Sequence, residues 1–290
     1  MDAHVRMKLK ERWIVASLFA LACIAVAGVI LIILFVFREG WPVLVKHGPL
    51  SLASGREWRP TQSQFGMMPL IIGSAYVTLA ALVLGVPLGV GCAVFMAEIA
   101  PGWMAKLVRP AINLLAGIPS VVYGFFGLVI LVPALRGIFG GIGFSLFAGG
   151  VILAIMILPT IISISEDALR AVPADYKEAS LALGATRWQT IYKVLIPAAK
   201  SGIMAAVILG MGRAIGETMA VIMITGNKPL IPKSILDTGP TLTGTIGQEW
   251  AYASGEHAQS LFTVGIFLFI LIIIINSTAL IFSQRKVRQQ

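Results

Sequence analysis

Long apolar runs alternate with shorter polar segments along the chain, and six of them reach the roughly 20 residues that a helix needs to cross a hydrocarbon core. They extend from Trp13 to Phe37, Pro69 to Met96, Pro110 to Val132, Phe144 to Ser165, Ser201 to Thr225 and Ser260 to Ser283. The pattern predicts an all-α integral membrane protein with six transmembrane helices. A basic stretch (Arg6, Lys8, Lys10, Arg12) gives the first run the look of a leader, and Ala20-Leu21-Ala22-Cys23 resembles a lipoprotein cleavage box with its first two residues exchanged. The run continues well past the about 7 to 15 residues of a leader's apolar region, so an uncleaved anchor is expected.

Composition agrees. Of 290 residues, 58% are hydrophobic and only 12% charged, against about 25% charged in soluble domains. The net charge of +9 does not mark a nucleic-acid partner, because the basic residues form no helix face and no interleaving with aromatics. Their distribution reports topology instead. With the N-terminus inside, internal segments hold 14 Lys and Arg and external segments 7, leaving Arg213 within a span; both termini are therefore expected in the cytoplasm. Cys23 and Cys92 lie inside apolar runs, and His4, His47 and His257 are far apart with no Cys or carboxylate at ligand spacing. No disulfide framework and no metal site is expected.

Gly85, Pro87, Gly89, Pro119, Pro159, Gly210, Gly212 and Gly216 fall inside the runs. Backbone groups freed at such sites must find partners in neighbouring helices or line a cavity. The pairs Gly85/Gly89 and Gly212/Gly216 also fit plain close packing of helices. The external segments, about 38 to 68 and 226 to 259, carry Trp41, Trp58 and Trp250, readable as docking or lid loops or as interfacial anchors.

The longest internal segment, Glu166 to Lys200, predicts two short helices. Pro173 suits a first turn, Asp175 the positive N-terminal end, and Gly184 the left-handed stop of the first. Thr186 and Gln189 form a capping-box pattern for the second, which Pro197 is expected to end. Tyr176, Ala179 and Leu183 share a face, and so short an amphipathic element needs a partner surface or the headgroup layer.

Glu178-Ala179-Ser180, Gly184, and then Val194, Ile196 and Pro197 resemble the EAA loop of ABC importer permeases: Glu-Ala-Ala, three residues, Gly, nine residues, Ile-x-Leu-Pro. Ser180, Val194 and Ile196 depart from it only by small or isosteric changes. Three further stretches resemble the phosphate-specific, PstC-type subunit. They are Trp58, Pro60, Phe65-Gly66, Pro69 with Glu98-Ile99-Ala100-Pro101; Ala116-Gly117-Ile118-Pro119-Ser120-Val121-Val122-Tyr123-Gly124; and Gly212-Arg213-Ala214-Ile215-Gly216-Glu217-Thr218-Met219-Ala220-Val221 followed by Gly226-Asn227. The sister PstA-type subunit usually reads Glu-Thr-Ala-Pro where this chain has Glu217-Thr218-Met219-Ala220.

The resemblance implies a type I (MetI-like) bundle. Residues 1–68 would form the tail, anchor helix and first external loop, 69–283 the transmembrane domain with its coupling loop at 166–200, and 284–290 a basic cytoplasmic tail. It implies a subunit of an inorganic phosphate importer in a bacterial inner membrane. The partners would be a second, PstA-type permease, a PstB-type ATPase homodimer and an external PstS-type phosphate-binding protein, with lipid around them. Glu178, Ala179, Gly184 and Pro197 would meet the ATPase. No cofactor is expected on this chain, ATP and Mg being used by the ATPase. Nor does the sequence hold a Gly-x-x-x-x-Gly-Lys-Ser/Thr loop or a catalytic constellation of its own. The rival readings are a sulfate or molybdate permease, an ATP-independent secondary transporter or channel, and a structural membrane subunit.

Arg213 and Glu217 lie four residues apart within the fifth run, which as one helix would put them on one face. Arginine at a bilayer centre costs at least ~2.5 kcal/mol on insertion scales, so it should face protein or water. Two readings follow: a self-neutralising pair, or an arginine that meets an oxyanion with Glu217 as its resting counter-ion. Thr218 and Asn227 are candidate additional donors.

Overall fold

The computed structural model describes the backbone of residues 3–287 and the side chains of residues 12–278. The side chains of His4, Arg6, Lys8, Lys10 and the basic tail (Arg285, Lys286, Arg288) lie outside the described residues.

Helix α1 (Ala3–His47) has 45 residues and at 1.5 Å per residue is about 68 Å long, so it projects beyond a hydrocarbon layer of about 30 Å. From Trp13 to Leu34 its large side chains are exposed on every side, as expected of a helix facing lipid. It packs chiefly against the last helix of the chain. After it come a short helix α2 (Pro49–Ser54) and a two-stranded antiparallel hairpin, β1 (Trp58–Arg59) with β2 (Gln64–Phe65), paired Trp58 to Phe65.

The centre of the molecule is the pair α3 (Met68–Val94), prolonged by a π turn to Ile99, and α7 (Leu146–Arg170). Glycines let these two backbones approach: a Cβ on Gly150 would lie 2.4 Å from the Ala80 Cβ, and one on Gly89 2.7 Å from Ile161 Cγ2. Gly85 faces Ile157 in the same way, so Gly85/Gly89 is a packing pair, whereas among the described residues nothing beyond the helix's own backbone lies within 4 Å of a Cβ at Gly212 or Gly216. Leu146, Ile152, Leu153, Met156, Ile157 and Ile161 fill the core between the helices.

Between them the third expected span is displaced. Pro110–Gly117 belong to a separate helix, α4 (Gly102–Gly117), and the chain is extended at Ile118 (ψ 127°) and Pro119 (ψ 142°). The residue before a proline is pushed out of the helical region and the proline has no N–H to give, so helix restarts only at Ser120. The span is then α5 (Ser120–Phe126), a π turn at Gly127–Leu131 and α6 (Val132–Phe139), together Ser120–Phe139.

After α7 come α8 (Ala174–Ala182), α9 (Arg187–Thr190), a π turn at Ile191–Leu195 and α10 (Ile196–Ala198). Pro197 does not end this stretch: the wide π turn just before it accommodates the missing donor, and helix runs to Ala198. A bend of 68° then separates Arg187–Ala198 from α11 (Lys200–Gly216). The fifth expected run, Ser201 to Thr225, begins just after this bend and is itself broken once, after Gly216, before α12 (Met219–Ile224). A loop leads to α13 (Leu242–Glu249), and α14 (Glu256–Val287) closes the bundle against α1. Among the described residues five helices are long and apolar enough to span, and the bent pair counted as one span brings the number to six.

Valine at Gly150 is expected to destabilise the protein by about 1 to 3 kcal/mol through overpacking against Ala80, while alanine at the open Gly212 is expected to have little effect. Thermal unfolding of the detergent-solubilised protein compares the two; equal midpoints would contradict the α3–α7 packing described.

Candidate functional site

Arg213 lies in the last turn of α11, about 20 Å along the helix from Lys200 at 1.5 Å per residue. Its side chain is half-buried and makes no hydrogen bond or ion pair among the described residues. Its charge is tolerated there in part because the C-terminal end of a helix carries partial negative charge. Glu217 is not its neighbour on a helix face. The helix stops at Gly216, and Glu217 is extended (φ −71°, ψ 133°), so the four-residue spacing no longer brings the two side chains together.

Glu217 instead serves the next helix. Its Oε1 accepts the Ala220 N–H at 3.1 Å, closing one open donor of α12, and its backbone carbonyl accepts from Thr243 Oγ1 at 2.7 Å. At the other end of α12, Asn227 (φ +47°) donates Nδ2–H to the Ile222 carbonyl at 2.6 Å and accepts from Thr225 Oγ1 at 3.1 Å. Thr218 is half-buried and donates to the Gly216 carbonyl at 3.4 Å. The four residues flank α12 and the break before it, but Glu217 holds the break in shape, Asn227 holds the far end of α12, and of the four Arg213 alone is free of a described partner.

Two further residues lie near this break, Thr243, which the sequence reading did not single out, and Tyr123, which it named only within a resembling stretch. Thr243 comes from α13, and Tyr123, 6% exposed, donates its hydroxyl to the Leu115 carbonyl at 2.8 Å. The glycines beside Tyr123 bring α5 onto α12: a Cβ on Gly127 would lie 2.5 Å from Ile224 Cδ1, and one on Gly124 3.0 Å from Ala220 Cα.

At the end that bears residues 171–199, Gly184 has φ +82° and Thr186 and Gln189 form both bonds of the capping box, at 2.9 and 3.2 Å. Pro173 is the residue just before α8. Glu178, Ala179, Gly184 and Pro197 are all exposed, as are Tyr176, Leu181, Leu183 and Trp188. Behind this face the loop is tied down. Lys177 Nζ meets Glu98 Oε2 at 2.6 Å, Arg187 donates to the Glu98 carbonyl, and Ser180 and Thr190 share a hydrogen bond of 2.9 Å. A cavity of about 800 Å³ opens beside it, bordered by Tyr176, Lys193, Pro197 and Lys200.

Glu166, one helical turn before Arg170 on α7, is 3% exposed and holds both Arg109 and Arg170. The hydrogen bond to Glu166, and then its charge, raise the pKa of Arg109. At the opposite end the histidines do find carboxylates: Glu249 accepts from Trp58 Nε1 at 3.0 Å and meets His257 at 2.7 Å, while Glu256 meets His47 at 2.9 Å and Lys46 at 2.7 Å. Trp58 is therefore neither an exposed anchor nor a lid residue; it is 2% exposed, whereas Trp41 and Trp250 are 56% and 54% exposed.

Among the described residues the chain forms an apolar helical bundle of up to six spans, interrupted beside Arg213 and carrying an exposed helical loop at one end, the architecture of a membrane transport subunit. The chain matches the family of binding-protein-dependent transport system inner membrane components over residues 85–288 and belongs to it. It is 45% identical over 268 residues to the probable ABC transporter permease protein YqgH of Bacillus subtilis, covering 88% of this chain and 86% of that one. It is 35% identical over 241 residues to the phosphate transport system permease protein PstC of Pasteurella multocida, covering 76% and 75%. The PstC of Mesorhizobium japonicum is 36% identical over 264 residues, covering 84% and 80%. Among solved structures, a MetNI methionine ABC transporter in an inward-facing conformation matches with a TM-score of 0.59 and 27% identity, covering 76% of this chain and 97% of that one. A bacterial alginate ABC transporter chain shares the fold alone, at TM-score 0.68 and 17% identity over 96% of both. The protein is thus a MetI-type ABC importer permease, a multi-pass inner-membrane subunit. It is not an enzyme: ATP hydrolysis belongs to a separate ATPase, and the family works with another permease and a binding protein.

Gln in place of Glu217 keeps an acceptor oxygen for the Ala220 N–H and is expected to leave stability nearly unchanged, whereas Ala removes it at about 1 kcal/mol, the usual scale for a lost helix cap. Thermal unfolding distinguishes them. An ionic pair with Arg213 would make Gln as damaging as Ala.

Proposed function

We propose that this chain is the PstC-type permease subunit of a bacterial importer of inorganic phosphate. The observation that carries the reading is the likeness over most of the chain to proteins named as phosphate transport system permeases. Arg213 gives it a chemical basis, since a planar fork of donors without a carboxylate partner suits a tetrahedral oxyanion. In this reading phosphate meets Arg213 at the broken span. Thr218 is near enough in the chain to add a donor, while Glu217 shapes the gap between α11 and α12 and Asn227 holds the far end of α12.

Both termini face the cytoplasm in this reading, which follows from the distribution of Lys and Arg. Residues 1–68 form tail, anchor and first external loop, 69–283 the transmembrane domain, and 284–290 the basic tail. The loop 166–200 couples to the ATPase through Glu178, Ala179, Gly184 and Pro197. The bare face of α8, with Glu178 free of any described side-chain partner, supports that assignment. The partners are a PstA-type permease, a PstB-type ATPase homodimer and a PstS-type binding protein. ATP and Mg are bound by the ATPase, whose binding energy shifts the permease between inward-facing and outward-facing states.

The test is uptake of radiolabelled phosphate by vesicles holding the reconstituted complex, with sulfate and molybdate as competitors. Uptake that needs ATP and resists both competitors is expected. Equal inhibition by sulfate would overturn the phosphate assignment, and uptake without ATP the coupling. Arg213→Lys keeps the charge but loses the fork, and is expected to reduce uptake about tenfold or more, the scale of one lost bidentate contact, in a complex that still assembles and hydrolyses ATP. Normal uptake by that variant would remove Arg213 from the pathway. Gly184→Val forces a residue with a Cβ into φ +82°, at about 1 kcal/mol or more. Loss of uptake with the protein still inserted is expected; normal uptake would show the turn to be dispensable for coupling.

A further inference from the structure

Glu166 has no part in the roles given so far, yet it is the most deeply buried acid among the described residues. Two arginines converge on one of its oxygens. Arg109 approaches Oε1 through Nη2 at 2.8 Å and Nε at 3.2 Å, and Arg170 through Nη2 at 2.9 Å and Nε at 3.0 Å. Arg170 belongs to α7 itself and also donates to the Met96 carbonyl at the end of α3, at 3.1 Å. One arginine is enough to compensate a buried carboxylate. The second therefore matters for what it joins.

What Arg109 joins is α4. Of the side chains of α4 only Ile112 is buried, while Trp103, Leu107 and Leu114 are 66%, 69% and 74% exposed. The helix packs against α7 and only slightly against anything else. A cavity of about 160 Å³ beside the pair, lined by Asn113, Ser163 and Asp167, leaves the Arg109 side chain room to move. At its far end α4 passes through the Pro119 break into α5, whose Tyr123 bonds back to Leu115 and whose glycines rest on α12. At the near end, Glu166 lies eight residues before the start of α8.

We propose that Arg109 and Glu166 form a positioning tie that carries movement of the coupling loop into α4, and from there across the Pro119 break into α5. The inference rests on the coupling role proposed for residues 166–200; it does not depend on which anion is transported. Because Arg170 remains on Glu166, the tie can be cut without stranding the carboxylate.

Arg109→Met keeps the length of the stem and removes the charge. In the reconstituted complex of both permeases, the ATPase and the binding protein, it is expected to assemble and hydrolyse ATP but to move about fivefold less phosphate per ATP, or lower still, the scale of a modest coupling between sites. Arg109→Lys, able to reach one carboxylate oxygen, is expected to fall between the two. An unchanged ratio in assembled Arg109→Met overturns the tie. Should Arg109→Met fail to assemble, the lysine variant decides: a reduced ratio supports the tie, and a wild-type ratio assigns Arg109 to packing alone. Failure of the phosphate reading looks different, because the wild-type complex would then take up no phosphate. The tie is in that case read from stimulation of ATP hydrolysis by the binding protein, its loss in Arg109→Met supporting the inference and its retention overturning it.

Discussion

The bilayer core offers no water to backbone amides, so every interruption of a spanning helix has to be closed by the protein itself. The rest of this structure depends on how two breaks, one just before the span that starts at Ser120 and one at the end of α11, meet that demand. At Ile118–Pro119 proline contributes no donor, the Ile118 N–H returns to the Leu115 carbonyl at 3.3 Å, and Tyr123 adds its hydroxyl to the same carbonyl. At Glu217–Thr218 the closure comes from side chains. Glu217 caps the start of α12, Asn227 caps its end, and Thr243 reaches in from α13. Six residues are too few for a helix to persist alone, so α12 exists because both of its ends and its α5 face are held.

This explains why two acids in apolar surroundings behave differently. Glu166 sits inside a continuous helix, where the backbone is already satisfied, and its charge can be met only by arginines from outside its own turn. Glu217 sits where the backbone is open, and its carboxylate goes to the nearest unpaired N–H. Arg213 is thereby left to the C-terminal end of α11 and to whatever enters the gap. An arginine without a carboxylate is costly in a membrane, and the cost is offset only in part by the helix end. In the function proposed above, an anion in transit supplies the compensation that no resident carboxylate gives among the described residues.

Local chemistry was legible in the chain. The left-handed Gly184, the capping box of Thr186 and Gln189, and the packing pair Gly85/Gly89 depend on a few neighbouring residues or on one helix face, and each stands where the pattern placed it. Hydropathy alone misplaced the third span, because an apolar run says nothing about where a helix breaks; the pre-proline restriction at Ile118 was the signal that would have moved its start to Ser120. The Arg213–Glu217 spacing misled for the same reason, since four residues make neighbours only on an unbroken helix. Trp58 and Glu166 lay beyond reach in another sense. Their partners, Glu249 and Arg109, are 191 and 57 residues away, and nothing local announces such a meeting.

The way residues 171–199 are fastened also constrains how force can pass through the molecule. The outer face of α8 is bare, but its inner side is pinned to the end of α3 by Lys177 and Arg187, and to α9 by the bond between Ser180 and Thr190. α3 and α7 in turn touch through glycines, with backbones too close to slide past side chains. A close-packed interface of this kind resists continuous deformation. A push on α8 must therefore move the loop, α3 and α7 together, and relative motion is confined to parts held less firmly: the 68° bend at Ala199, the Pro119 break and the lightly packed α4. The least firmly packed places in the described residues thus lie at breaks between helices, which ties the backbone constraint of the bilayer to where relative movement can occur.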